Sequence, residues 1–121
     1  MGEAVRRGFD QPDEKQEIPN GIIERMTLAG ARVGRSTFDP GWRWSESIKP
    51  MAGTDSCQAH HVGYALGGAI HVVTNEGTEI EINAGDAYEI FPGHDAWVVG
   101  NEQFQGLEFD QTTVDLFAHQ K

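Results

Sequence analysis

The sequence has very little cysteine, little positive charge and no long apolar run. Its one cysteine, Cys57, excludes an internal disulfide and makes a reducing compartment, the cytoplasm, the expected location. Lys and Arg number 9 against 19 Asp and Glu, for a formal net charge of −10. Such a surface repels phosphate backbones and anionic headgroups, so nucleic acid and membranes are not expected partners. No stretch has the apolar length of a membrane span. The N-terminal residues carry no signal-peptide run, and Arg6 stands where a myristoylation motif requires Ser or Thr. Also missing are a sustained helical period, an internal repeat, a nucleophile elbow, a P-loop and a dinucleotide fingerprint.

What is present is turn chemistry between short apolar segments. A chain of 121 residues suffices for one domain, and its 15 glycines suit many short strands joined by tight turns. Residues 1–17 are polar and aperiodic and are expected to form a flexible arm, with a single barrel domain over 18–121. After Pro19-Asn20-Gly21, strands are expected at Ile22–Met26 and Ala31–Phe38. Asp39-Pro40-Gly41 then breaks the chain before Trp42-Arg43-Trp44, where alternation puts both tryptophans on one strand face. Further strands are expected at Asp55–Leu66, Ala69–Thr74, Thr78–Ile82, Ala87–Phe91, Trp97–Val99 and Phe104–Phe109. Ile80 and Ile82 are expected to face inward, with Glu79 and Glu81 exposed. Thr112–His119 reads as a short helical or extended end. Many short strands without helices imply an all-β sandwich or barrel. Its free edges call for closure or for pairing in a homodimer, the strands within residues 22–38 being the candidates for pairing.

The segment Gly85–Trp97 (GDAYEIFPGHDAW) resembles the second motif of the cupin family, whose fold is a jelly-roll barrel, the double-stranded β-helix. Gly85, Asp86 and Gly93 stand at the family's spacing. The proline is displaced by one, to Pro92, and Ala96 occupies the place of the metal-binding histidine. Upstream, Tyr64-Ala65-Leu66-Gly67-Gly68 resembles the apolar stretch that closes the first motif. Counting back from it, Asp55, Cys57 and His61 occupy the places of the family's His, His and Glu. The resemblance covers about residues 53–101 and implies the fold, but cupins host oxygenases, isomerases, epimerases, sugar binders and storage proteins alike.

In such a barrel, even spacing puts Asp55, Cys57, Ala59 and His61 on the interior face, and His94 faces inward if Ala96 does. Cys57, His61 and His94 are therefore the candidate metal ligands, with Asp55 at the edge. A thiolate and two imidazoles suit Zn²⁺ or Fe²⁺ and leave a coordination position open. Each also has a structural alternative, Cys57 as a small buried hydrophobe and the histidines as hydrogen-bonded or exposed residues. His60 points outward unless a bulge reverses the alternation, and His71 fits either face. Trp42, Trp44, Phe91 and Trp97 either ring a ligand pocket or fill the core. Arg43 is expected to reach a carboxylate on a neighbouring strand, and Tyr64 falls on the face opposite His61. The functional expectation is a metal-dependent cupin acting on a small molecule, with oxygenase-type chemistry as one form. The competing expectation is a non-catalytic small-molecule binder or sensor that lacks the usual metal site.

Overall fold

The computed structural model describes residues 3–109. It consists of strands β1 (Glu14–Ile18), β2 (Gly21–Thr27) and β3 (Arg32–Phe38), single-turn helices α1 (Trp44–Ser47) and α2 (Lys49–Ala52), and strands β4 (His61–Gly67), β5 (Ala69–Thr74), β6 (Glu79–Asn83), β7 (Ala87–Ile90), β8 (His94–Val99) and β9 (Phe104–Glu108). A six-stranded sheet of order β1-β2-β3-β9-β4-β7 faces a three-stranded sheet of order β6-β5-β8. All the strand pairings are antiparallel.

Period-two alternation builds the interior from both sheets. On β9, Phe104, Gly106 and Glu108 are buried, and on β8 His94, Ala96 and Val98 are. With Ile70, Val72 and Ile82 from the small sheet and Ile23 and Phe38 from the large one, the apolar members form one core. Turns fall where the backbone needs a positive φ. Asn20 (φ 63°) joins β1 to β2, and Gly85 (φ 95°) and Gly93 (φ 96°) precede β7 and β8.

Several expectations need correction. The arm expected over residues 1–17 is corrected from Glu14 onward, because Glu14–Ile18 pairs with β2 in the large sheet. Before that strand, Arg7 bonds the Asp13 carboxylate at 2.6 Å and the Thr27 carbonyl at 3.1 Å. Polar composition concealed this strand, which lies at a sheet edge. The strands within residues 22–38 have no free edge, since β1 and β9 flank β2 and β3. Trp42-Arg43-Trp44 is not a strand either. The Asp39 turn continues through the Trp42 N–H, and α1 begins at Trp44, with the Asp95 carboxylate accepting from the Ser45 N–H at 3.1 Å. Pro50 in the first turn of α2 and Gly53 at its end (φ 74°) were the helix signals. The strand expected from Asp55 begins only at His61, and the chain before it touches β8 through the single pair Cys57–His94. Ile82 is buried as expected, whereas Ile80 is exposed on the edge strand β6. Thr112–His119 lies outside the described residues.

One glycine positions the site directly. In register, Gly63 of β4 lies between Tyr88 of β7 and Glu108 of β9. A Cβ on Gly63 would stand 2.6 Å from the Tyr88 ring and 2.3 Å from the Leu107 carbonyl oxygen. Backbone cannot yield as a flexible side chain can. Gly63→Ala is therefore expected to destabilise the protein by about 2–3 kcal/mol in urea unfolding, through overpacking.

Candidate metal centre and cavity

Three different segments bring Cys57, His61 and His94 together. Cys57 sits in the irregular stretch before β4, His61 opens β4, and His94 opens β8. Their ligand atoms all lie within 4.8 Å of one another. Cys57 Sγ is 3.6 Å from His61 Nε2, and the two imidazole centroids are 5.1 Å apart, edge to face. A tetrahedral zinc with bonds of about 2.3 Å to sulfur and about 2.0–2.1 Å to nitrogen holds S and N about 3.6 Å apart, so the first of these separations already suits a shared ion. The residues present fit a metal, although the set is not the family's usual one. Ala96 is buried and faces inward, as the motif count requires, and His94 shares its face.

Each imidazole is held from behind. The Phe91 carbonyl accepts from His94 Nδ1 at 2.9 Å, which leaves Nε2 of His94 as the ring nitrogen available to a metal once it carries no proton. Glu108 Oε1 lies 2.9 Å from His61 Nδ1, and the Tyr88 hydroxyl donates to Glu108 Oε2 at 2.5 Å. A carboxylate behind a histidine is the arrangement that orients metal-binding imidazoles and raises their basicity. Glu108 and Tyr88 had not been singled out as site residues. The available signal was Phe104-Gln105-Gly106-Leu107-Glu108, in which an acidic residue falls on the apolar side of a strand.

The electrostatics follow from this packing. Burial opposes ionisation of Cys57, but hydrogen bonds and charge from His61 and His94 outweigh it and bring the thiol down to about 6. Burial likewise opposes charge on His61, but the Glu108 carboxylate and the Cys57 sulfur raise it to about 10. Burial and Glu108 push the Tyr88 phenol far up, so it remains a donor. His61 therefore contributes stability fully below its ordinary value of 6.5 and loses it as pH rises through about 10. Cys57 contributes fully above its ordinary 9.0 and loses it as pH falls through about 6. For the metal-free protein these two contributions offset between pH 6.5 and 9 and decline outside that window. The expected result is a thiolate absorbance that titrates near pH 6 and moves upward in His61→Ala. A wild-type titration near the ordinary 9.0 would show that the two side chains do not interact as described.

Beside the ligands lies a cavity of about 50 Å³. His61, His94, Glu108 and Tyr88 line it together with Ser36 and an apolar set that includes Phe38, Trp42, Trp44 and Phe104. Cys57 does not line it, so an ion held by the three side chains would have the thiolate behind it and the cavity in front. The volume corresponds to about four water positions, which suits a compact ligand.

Not every expected site residue is there. Trp42 and Trp44 line the cavity, Trp42 stacking on Phe38 at 3.9 Å. Asp55 does not, because it is exposed in the bend before Cys57. Phe91 is 64% exposed and stacks on His60, which points outward to Glu89 at 2.8 Å. Trp97 also faces away from the interior, between the Arg43 guanidinium at 4.1 Å and the His71 ring at 4.8 Å. Arg43 reaches Asp95 at 3.5 Å, as expected, and His71 pairs with Glu79. Tyr64 is exposed on the face opposite the site.

No protein-family model and no curated protein matches the chain. Solved structures do. A cupin-like protein from Thermotoga maritima superposes with a TM-score of 0.56 at 16% identity, covering 88% of this chain and 81% of its own. An RmlC-like cupin from Shewanella frigidimarina gives 0.55 at 17% identity, covering 89% and 91%. A predicted oxalate decarboxylase from Thermotoga maritima gives 0.57 at 17% identity, covering 87% and 96%. At these identities the likeness concerns architecture, and together with the two facing antiparallel sheets and the inward-facing motif residues it establishes that this chain is a cupin-fold domain.

Proposed function

We propose that this cupin domain binds one divalent transition metal, zinc or iron, through Cys57, His61 and His94, and uses it to act on a small molecule held in the adjoining cavity. The observation that carries this reading is the convergence of three ligand atoms within 4.8 Å, with the rings of His61 and His94 held by Glu108 and the Phe91 carbonyl. A bound metal would supply a Lewis acid and, as iron, a redox centre for oxygen-dependent chemistry. The chain's own residues orient the imidazoles, exclude bulk water with an apolar wall, and keep a protonated phenol on Glu108.

Simple thiol nucleophilicity fits less well, although Cys57, His61 and Glu108 form a chain of the catalytic-triad kind. Cys57 is 2% exposed and stands outside the cavity lining, so its sulfur is shielded from a substrate there. A metal-free role as a small-molecule binder or sensor is supported by the mostly apolar wall and remains the second reading. The domain is also proposed to act in the cytoplasm, on the strength of its lone thiol, and to form homodimers. Among the described residues no helix is long and apolar enough to cross a membrane.

Metal analysis of untagged protein tests the proposal. One equivalent of a transition metal per chain, as purified or after anaerobic reconstitution, is the expected result. Less than about a tenth of an equivalent under both conditions would overturn it. Glu108→Gln should weaken metal binding by about 10–100-fold, read by competition with a chelating dye, because the carboxylate no longer tunes His61.

A further inference from the structure

We infer that the cavity takes a compact, neutral alcohol, held by its hydroxyl between Ser36 and Tyr88 above Gly106. The inference deepens the proposed function by naming the ligand's chemical class. It rests on the same cavity being the ligand site, not on the metal.

Ser36 is the starting observation. On β3, Gly34, Ser36 and Phe38 are the buried, inward-facing residues, and Ser36 is 8% exposed and lines the cavity. Its hydroxyl makes no hydrogen bond among the described residues. The indole nitrogens of Trp42 and Trp44 also lack partners, but packing seals them, so no ligand reaches them. The Ser36 oxygen is not sealed in this way, and the surface it keeps on an inward-facing side chain belongs to the cavity. A buried hydroxyl without a partner is uncommon in a native fold. A second hydroxyl meets the same gap. Ser36 pairs in register with Gly106 of β9, which has no side chain, and a Cβ there would stand 2.7 Å from the Tyr88 oxygen. Ser36 comes from β3 and Tyr88 from β7, with β9 between them, so the two hydroxyls flank Gly106 from opposite sides. Facing Cβ positions on paired strands are about 4.5–5.5 Å apart, which leaves room between the two oxygens for one polar group.

The hydrogen-bonding capacity of this gap selects a donor. Tyr88 has one proton and gives it to Glu108, so towards a ligand its oxygen only accepts. Ser36 both donates and accepts. A ketone oxygen answers Ser36 but meets the lone pairs of Tyr88. A carboxylate meets those lone pairs and the charge of Glu108, in a chain of net charge −10. An alcohol donates to Tyr88 and accepts from Ser36, which answers both. A water molecule makes the same two bonds, but only the alcohol also places an apolar body against Phe38, Ile70 and Phe104. The size of the cavity limits that body to a compact one.

Cyclopentanol, cyclopentanone and cyclopentane, titrated into ¹⁵N-labelled wild-type protein, test the inference. They share one ring size and differ in the polar group. Cyclopentanol should bind at least about fivefold more tightly than either of the others and shift the Ser36 and Gly106 amide signals. Ser36→Ala should weaken cyclopentanol by about five- to tenfold and change cyclopentane binding less than about twofold. Without ligand, Ser36→Ala should unfold at about the wild-type urea concentration, because no protein group answers the lost hydroxyl. A marked fall in that midpoint would assign the hydroxyl to holding the fold and would overturn the inference. So would a ketone or cyclopentane that binds as tightly as the alcohol, an alcohol affinity that Ser36→Ala leaves unchanged, or no binding by any of the three compounds. The comparison of the three compounds uses wild-type protein, so it stands whatever the variant does. Metal content measured on the same samples separates the two claims. Full metal without preference for the alcohol sinks only the ligand class, and preference for the alcohol in protein that takes up no metal sinks only the metal centre.

Discussion

His61→Ala is expected to abolish metal binding and, in the metal-free protein, to cost about 3 kcal/mol of stability. The second effect arises behind the ligand, not at the metal. His61 Nδ1 lies 2.9 Å from a Glu108 carboxylate oxygen, and the two side chains are 14% and 9% exposed. Removing the imidazole leaves a buried carboxylate that has lost its cationic partner and keeps the Tyr88 hydroxyl. A buried charge stripped of its partner is more costly than the loss of the contact alone, because desolvation of the survivor is no longer offset. The double variant His61→Ala with Glu108→Ala should accordingly be less destabilised than the sum of the two single variants, by about 1–3 kcal/mol. Urea unfolding of the four metal-free proteins measures this coupling. Additive effects would show that the pair contributes nothing jointly.

Cys57→Ala separates binding from folding in the opposite way. Metal affinity should fall by more than about 100-fold, since even the loss of a residue behind a ligand costs 10–100-fold. Stability of the metal-free protein should fall by only about 1–2 kcal/mol, because the change removes one sulfur from a packed position and leaves no bulky group without a neighbour. Full metal retention at unchanged affinity would mean that the two histidines bind without the thiolate and that the proposed set is wrong.

The barrel could be read from the sequence because its signals are local and periodic. Ala69–Thr74 matches β5 residue for residue, and the Gly85 and Gly93 turns have the positive φ that such turns require. The inward direction of His61, and with it the outward direction of His60, followed from alternation along β4. Cys57 joined the cluster by a different route from the one expected. It is carried in by an irregular segment pinned to His94, through bonds from the Cys57 N–H to the His94 carbonyl at 2.7 Å and from the Gly93 N–H to the Cys57 carbonyl at 2.7 Å.

Other features depended on partners distant in sequence. Nothing near Trp42 announces that Asp95, on β8, holds the start of α1, and this contact converts an expected strand into a turn and a helix. Phe91 and Trp97 are large and aromatic, so hydrophobicity favoured the pocket. The structure instead pairs them on the outer surface with His60 and with His71 and Arg43. Glu108 was visible only as an acidic residue in an inward register, and Tyr88 reaches it only because Gly63 lies between them. That relation is a property of the sheet order and cannot be read from any one strand.

The most direct test of the metal centre is the absorption spectrum of the cobalt-substituted protein. Bound Co²⁺ in wild-type protein should show a thiolate-to-metal charge-transfer band at one equivalent, together with the intense visible bands of a four-coordinate site. Cys57→Ala should lose the charge-transfer band. A cobalt spectrum without thiolate character in wild-type protein, or one that Cys57→Ala leaves unchanged, would contradict a centre formed by Cys57, His61 and His94.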